Sequence, residues 1–412
     1  MAISSSPIVL DPYGSDVPGE VSRLRALGTV VKVELPGGVP VWAITRHDLL
    51  KQVILDPRVS KDPQRYWSLW PQVDERPEWG WLNLWIGMRN LVNASGMEHR
   101  RLRNLVAPSF TGRRTLAMRP IIERITAELI DDLTRLPADQ VVDLRVAYAH
   151  PMPLRVICEL FGVPDDMRPE VAWISTAFID SAATAEEAAE TSARIRTFFP
   201  ALIAHKREHP GDDLTTELIN ARYEDDRLSD DELRDTLLAL LGAGHETTVD
   251  LIDSTVHALL THPEQLRRIR EGEVTWEAVI EEALRWAPPV ANFPLRYATE
   301  PIDVDGVRIP AGDAILATYF AAGHDPHQHG EDADRFDVAR PPAEHLAFGV
   351  GVHHCIGAPL ARLEAVIALP ALFDRFPDLA LAQETPTPNR LPSLVINGLS
   401  ELPLRLGHPS KK

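Results

Sequence analysis

The chain carries two cysteines, Cys158 and Cys355, and the second sits where a sulfur could do chemistry. It closes the run Phe348-Gly349-Val350-Gly351-Val352-His353-His354-Cys355-Ile356-Gly357, and Ala358-Pro359-Leu360-Ala361-Arg362 follows. Glycines there allow backbone shapes that other residues avoid. Leu360, Val366, Ile367 and Leu369 recur at helical spacing, with Pro359 suited to a first turn. A thiol at a helix N-terminus meets unpaired N–H groups and the positive end of the dipole, so its pKa is expected to fall. A thiolate held in a glycine loop, with Phe348 seven positions upstream, suits a metal-bound sulfur. Three other readings compete. Cys355 could be a buried structural cysteine. A dinucleotide fingerprint G-x-G-x-x-G fails, because its third glycine falls on His354. A zinc site could use His353, His354 and Cys355, but adjacent residues point in different directions and no second cysteine is near.

A second cluster, Ala243-Gly244-His245-Glu246-Thr247-Thr248, lies inside a helical pattern. Glycine and threonine are poor helix formers, so this is a weak point in an otherwise good helix. Small side chains at Ala243 and Gly244 let a planar group approach the backbone, and a threonine hydroxyl can replace a backbone partner and open the helix groove. An acid beside an alcohol, Glu246 beside Thr247, offers a proton route. The alternative is a threonine pair packed inside a bundle. His99 and Arg103, four apart, share a helical face and could converge on one anion. Glu282 and Arg285, three apart, could pair on another helix. Arg100, Arg101, Arg103, Arg113 and Arg114 make a basic island in an acidic chain, either a solvated face or a docking patch for an acidic partner.

The pattern F-G-x-G-x-H-x-C-x-G is matched at every specified position from Phe348 to Gly357, and it resembles the haem loop of the bacterial cytochrome P450 family, in particular the actinobacterial secondary-metabolism and steroid-hydroxylase type. The resemblance implies haem b with Cys355 as axial iron ligand, His353 as partner to a haem propionate, and Phe348 and Gly349 packed beside the sulfur. The run from Ala243 to Thr247 resembles the family's oxygen-activation motif A-G-x-[DE]-T, which implies a proton-delivery pair of Glu246 and Thr247. His99-x-x-x-Arg103 and Arg296 match propionate-binding positions, and cationic donors suit buried carboxylates. Glu282-x-x-Arg285 resembles a buried structural pair joined by a meander arginine. Arg335 is the candidate, with Arg340 as alternative because Ala333 stands where a proline is usual. The substrate would lie near Met88, Leu240, Ala243, Val290, Ala291, Phe293 and Ile396. Most of these are apolar, so a steroid, terpenoid or macrolide-like polyketide is expected, hydroxylated or epoxidised with O2. A peroxide-driven relative and a non-catalytic haem sensor are the other classes, and Glu246-Thr247 counts against both.

At 412 residues, 44% hydrophobic and 25% charged, the composition is that of a globular protein with a large core. A net charge of -18 argues against nucleic-acid binding. Two cysteines exclude a disulfide framework and suit a reducing cytoplasm. They also cannot hold a four-thiolate iron–sulfur cluster. Electrons from NAD(P)H are then expected through a separate ferredoxin and its reductase. No apolar run reaches the length of a membrane span and the first ten residues lack signal-peptide character, so a cytoplasmic monomer is expected.

The positioning elements are expected to be mainly α with a minor β part, one cytochrome P450 domain over 1–412. Residues 18–27 and 46–55 read as helices, and Val30–Leu35 with Val41–Ile44 as a hairpin. Lys61 to Gly96 reads as irregular, with Trp67, Trp70, Trp79, Trp81 and Trp85 mostly plugging the core and one or two serving a pocket mouth. From 97 to 285 the pattern is helical: Pro151 and Pro153 open a helix containing a structural Cys158, and 167–183 and 186–208 follow. Gly211 to Asp235 reads as a solvated acidic face, and Leu237 to Leu260 as one long core helix. Strands Ile302–Val304 and Val307–Ile309, a polar meander over 322–345 and a helix near 358–375, kinked or shortened by Pro370, complete the expectation.

Overall fold

The computed structural model describes residues 8–224, 226–383 and 389–410. Alternating β-branched residues in Val30–Leu35 and Val39–Ile44 form an antiparallel pair, with Val33, Leu35, Val39 and Val41 turned inward. Gly37 and Gly38, at φ 83° and 75°, make the turn that side-chain-bearing residues resist. This pair is the second and third strand of a six-stranded sheet in the order Ile8–Val9, Val30–Leu35, Val39–Ile44, Ala314–Thr318, Asn292–Ala298, Val59–Ser60. Ile302–Val304 and Val307–Ile309 pair with each other. Val141–Asp143, Pro403–Arg405 and Ala380–Leu381 form a third small sheet.

Helices make up the rest. Val17–Leu27 is capped by Asp16, whose carboxylate accepts the Gly19 N–H. Ala185–Glu208 opens on a Thr184/Glu187 capping box and runs through Pro200. The helix expected over 167–183 stops at Phe178, because the next polar residues are recruited elsewhere: Ser181 Oγ donates to the Pro12 carbonyl and accepts the Leu394 N–H. Ala358–Arg375 is neither shortened nor stopped by Pro370. It packs on Arg119–Thr134, Glu246–Thr261 and Trp276–Trp286.

Three expectations are corrected. Leu237 to Leu260 is not one helix but two, Asp230–Gly244 and Glu246–Thr261, broken at His245 (φ −94°, ψ −75°). The stretch Gly211 to Asp235 is not simply a solvated face. Asp213 is buried against Lys206 at 2.6 Å, and Asp235 is buried where it accepts the Arg89 N–H at 2.7 Å. Nor is 61–96 irregular throughout, since it holds short helices at Pro63–Tyr66 and Gly80–Ile86. Trp67, Trp79 and Trp81 are core residues, with Trp67 stacked on Trp79.

Four apolar clusters result, of which two are large. One gathers the Trp-bearing segment, Pro151–Phe161, Arg168–Phe178 and Asp230–Gly244. The other gathers Arg119–Thr134, Glu246–Thr261, Trp276–Trp286 and Ala358–Arg375. The helix break at His245 falls on the seam between them. No helix of the described residues is long and apolar enough to cross a membrane.

Candidate functional site

A cavity of about 260 Å³ opens at that seam. One wall is the glycine loop with Cys355 and the start of the helix Ala358–Arg375; the facing wall is the broken helix at Leu240, Ala243, Thr247 and Leu251. Positive φ at Gly349 (66°) and Gly351 (75°) lets the loop fold back on itself. The Cys355 N–H then donates to the Phe348 carbonyl at 2.9 Å. The Phe348 ring lies 4.5 Å from the Arg362 guanidinium, which Glu281 holds at 2.5 and 2.9 Å. Cys355 thus lines the cavity with its aromatic neighbour fixed from behind. Its pKa does not fall as expected from the helix end. Burial pushes the thiol up, against the Gly357 and Ala358 N–H groups and the charges of Arg103 and Arg362. A coordinating metal would deprotonate it outright.

Cations collect along one edge. Lys61, Arg103, Arg296 and His353 line the cavity, and the His99 ring sits behind with its centroid 4.0 Å from that of His353. Arg103 donates to the His354 carbonyl at 3.1 Å, tying the helix Gly96–Val106 to the glycine loop. Burial lowers the Lys61 ammonium well below its ordinary range, and the Arg296 charge adds to it. His99 is lowered to about 4, first by burial, then by Arg103 and Lys61. His353 is lowered by burial and by the same positive neighbours. His99 Nε2 is buried without a partner. Hydrogen-bond donors whose charged forms burial disfavours, gathered around one cavity, suit a bound anion that would restore those charges. A flat macrocycle with two carboxylates on one edge and a metal above Cys355 fits this donor set.

The facing helix breaks for local reasons. The Thr247 hydroxyl donates to the Ala243 carbonyl at 2.6 Å, competing with the backbone ladder where Gly242 and Gly244 already weaken it. A Cβ on Gly244 would meet Ile157 Cδ1 at 2.9 Å, so the missing side chain also serves packing. Thr247 and Thr248 line the cavity. Glu246 does not: it is buried on the far side, where Arg145 Nη2 donates to its carboxylate. The acid and the alcohol are adjacent in sequence, but their side chains leave the helix on different faces.

Of the positions expected near substrate, Leu240, Ala243, Val290 and Phe293 line the cavity. Met88, Ala291 and Ile396 do not. Met88 packs against the first core, Ala291 is held by backbone bonds to Val395 and Phe320, and Ile396 is buried in a β-bridge with Val290. Phe293 has φ 120° beside a bulge in its strand, an unusual backbone for a side-chain-bearing residue. Trp85 braces it, with ring centroids 5.1 Å apart.

Below the cavity, Arg285 donates to both Glu282 oxygens at 2.7 and 2.8 Å and to the Gly323, Ala333 and Arg335 carbonyls. Here the expected third arginine is corrected. Arg335 contributes only its carbonyl and its side chain is exposed. Arg340 approaches Glu282 instead, at 3.5 Å, because the turn through Asp332 and Arg335 aims its guanidinium inward. The basic island is also thinner than its sequence suggests. Arg101 is engaged by Glu98, Asp226 and Glu232, and Arg114 by Glu217. Arg100 and Arg113 remain exposed, as do the apolar side chains Met97, Leu116 and Val352.

Sequence reasoning missed Lys61, Glu364 and Arg145. Glu364 lines the cavity from the helix Ala358–Arg375, buried with one oxygen unpartnered and its carboxyl pushed up by burial. Its signal was an acid four residues after Leu360 on an apolar face. Lys61 and Arg145 carry no comparable pattern. Among the described residues, the metal-capable group of His, Cys, Asp or Glu is His150, His245 and Glu246, so His353, His354 and Cys355 do not assemble a zinc site.

A family model for "Cytochrome P450" matches residues 177–402. The chain is 41% identical over 401 residues to the 2-hydroxy-5-methyl-1-naphthoate 7-hydroxylase of Streptomyces carzinostaticus, covering 97% of each. It is 39% identical to the 6-deoxyerythronolide B hydroxylase of Saccharopolyspora erythraea, over 93% of this chain and 95% of that one. Its fold matches the structure of CYP154A1 from Streptomyces coelicolor A3(2) with a TM-score of 0.92 and 47% identity, over 97% of this chain and all of that one.

Proposed function

Because the chain belongs to the cytochrome P450 family and is thereby a monooxygenase, we propose that Cys355 is the axial ligand of its haem and that its substrate is a hydrophobic polycyclic or macrocyclic small molecule. One observation carries the reading: a thiol, a cationic edge and a helix-opening threonine face one another across a single apolar cavity. Haem, when bound, supplies oxygen activation, and a thiolate ligand favours O–O cleavage.

The chain's own groups do the rest. Arg103, Arg296, His353 and Lys61 bind the two propionates, with His99 supporting His353 from behind. Phe348 and Gly349 shield the sulfur and fix its approach. Ala243 and Gly244 keep the distal wall low enough for a flat ring. Thr247 presents its hydroxyl to the reacting end, and Glu246 passes protons to it from the Arg145 side. Glu282, Arg285 and Arg340 hold the ground beneath the loop. Leu240, Val290 and Phe293 exclude water and orient the substrate, and their apolar character favours a ring skeleton over a sugar or nucleotide. The hydroxylases named above act on a substituted naphthoate and on 6-deoxyerythronolide B. A steroid, terpenoid or macrolide-like polyketide fits the same wall, hydroxylated or epoxidised.

Electrons reach the site from NAD(P)H through a ferredoxin and its reductase. The docking face would be the exposed surface around Arg100, Arg113, Leu116 and Val352, beside the glycine loop. The chain acts as one domain over 1–412, as a cytoplasmic monomer. The carbon monoxide difference spectrum of the reduced protein tests the core of this reading. The red-shifted Soret band of thiolate–haem–CO is expected in the wild type and absent in Cys355→Ser. An identical spectrum in Cys355→Ser would overturn it. Turnover with surrogate ferredoxin and reductase, but not with peroxide alone, is expected to separate this enzyme from peroxide-driven relatives.

A further inference from the structure

The polar residues behind the helix break do not end at Glu246. Glu246, Asp250, Ser254 and His257 follow one another at four, four and three residues, so they share a face of the helix Glu246–Thr261. Asp253 stands beside them. Arg145, from the turn Arg145–Ala149, donates Nη2 to Glu246 and Nη1 to Asp250 Oδ1 at 3.2 Å and Asp253 Oδ2 at 3.0 Å. Both aspartates are fully buried, and Asp250 Oδ2 and Asp253 Oδ1 have no partner. Three buried carboxylates on one guanidinium cannot all be ionised. Burial, with the repulsion of Glu246 and Asp143, pushes Asp253 up to about 7 even against Arg145. Asp250 is pushed well above its ordinary range by burial and Glu246. Both aspartates therefore hold protons more tightly than ordinary carboxylates do.

At its far end the same helix face reaches a second cavity. Ser254 and His257 line it, opposite Val21 and Arg25 of the helix Val17–Leu27, and Arg390, Asn397 and Leu399 close it. Between Asn397 and Leu399, Gly398 packs directly on Asp250: a Cβ there would stand 2.2 Å from Asp250 Oδ1. His257 Nε2 is buried without a partner. The charged and titratable neighbours come from every side. Arg145 and Asp143 face the aspartates from the strand and turn, and His150 and His245 lie next to Glu246. Arg390 faces Asp250 and His257 from the C-terminal segment, Asp16 faces Arg390, and His262 faces His257.

We propose that Asp250 and Asp253, with Ser254 and His257, form a proton conduit from this second cavity to Glu246, with Asp250 as the positioning residue that reloads Glu246. The inference rests on the reading of Glu246 as the acid behind Thr247. Each proton enters from bulk water at the cavity mouth and reaches Asp250. The Asp250 O–H bond breaks as an O–H bond forms on the Glu246 carboxylate. Asp250 is left as a carboxylate, ready for the next proton. Arg145 keeps its own protons and holds both carboxyl groups at fixed spacing. No electrons move along this path.

Haem-loaded wild type, Asp250→Asn and Glu246→Gln would be compared for oxygen consumption driven by a surrogate ferredoxin and reductase, in H2O and D2O. Asp250→Asn preserves the shape and the acceptor for Arg145 but cannot carry a proton. The expected result is an oxygen-consumption rate lower by on the order of tenfold to a hundredfold, a larger solvent isotope effect and an unchanged carbon monoxide spectrum. The infrared band of a protonated carboxyl group should also shrink in Asp250→Asn. Wild-type rate and isotope effect in Asp250→Asn, with Glu246→Gln slowed, would overturn the conduit and leave the function of Glu246 standing. If Glu246→Gln is itself unaffected, the reading of Glu246 falls instead, and the conduit with it. Should Asp250→Asn fail to hold haem, Ser254→Val at the cavity face carries the same test: slowed oxygen consumption supports the conduit, and wild-type behaviour overturns it.

Discussion

Thr247 is the residue whose hydroxyl stands on the cavity wall while its carboxylate neighbour faces away. Thr247→Ala is expected to keep oxygen consumption while diverting reducing equivalents into released peroxide. Unchanged product per electron pair would remove its role. Lys61 yields a prediction with two opposite signs. A buried ammonium whose folded pKa is lowered costs stability at every pH below its unfolded value, here with no carboxylate contact among the described residues. Lys61→Met should therefore stabilise the haem-free protein by on the order of 1–3 kcal/mol, yet speed haem loss to an acceptor protein. Thermal unfolding of the haem-free form and haem-transfer rates check the two halves separately. At this scale the chain was legible wherever chemistry is contiguous. Phe348 to Gly357 and Ala243 to Thr248 announce themselves because a loop or a helix turn needs those types at those offsets. Lys61, Arg145 and Glu364 were not legible. What they face is set by folding together segments far apart in the chain, and no local spacing encodes that.

Among the elements, the acid–arginine helix offers a clean discrimination. Arg340→Ala removes a guanidinium that approaches Glu282, whereas Arg335→Ala leaves the carbonyl that Arg285 uses. Arg340→Ala is expected to lower the unfolding temperature and haem retention more than Arg335→Ala does, and equal effects would contradict the assignment. The helix Glu246–Thr261 gives a pH-dependent counterpart. Asp253 has a folded pKa near 7, above its unfolded value, so the folded state holds the extra proton. Its contribution to stability is full below the unfolded pKa and is lost as pH rises through about 7. Asp253→Asn should accordingly raise the unfolding temperature of the holoenzyme at about pH 8 more than at about pH 5. Equal shifts at both would refute it. His245, fully buried and lowered to about 4 by burial, acts at the other end of the scale. Stability it does not cost at neutrality is lost as pH falls from its unfolded value toward about 4. Helix existence was readable from periodicity; the break at His245 was not. Glycine and threonine marked a weak point, but whether it yields depends on Phe178 and Ile157 packing against it.

For the molecule as a whole, the net charge of -18 would repel an acidic ferredoxin at long range. On the proposed docking face, the exposed Arg100 and Arg113 would offset that repulsion locally. Arg113→Glu should slow reduction by surrogate ferredoxin, with a weaker dependence on salt than in the wild type, as measured by stopped-flow at two ionic strengths. The overall architecture was legible because its motifs occur in a fixed order along the chain. The depth of the substrate wall was not, since Met88, Ala291 and Ile396 are apolar for reasons of packing.

The cavity is lined by residues of both large apolar cores. Whatever fills that space ties the halves of the molecule together. Haem is thus a fastener as well as a reagent, and its binding energy becomes folding energy. In a cell the lifetime of this chain would follow haem supply. Newly made copies that wait too long would spend more time open and be more exposed to proteases.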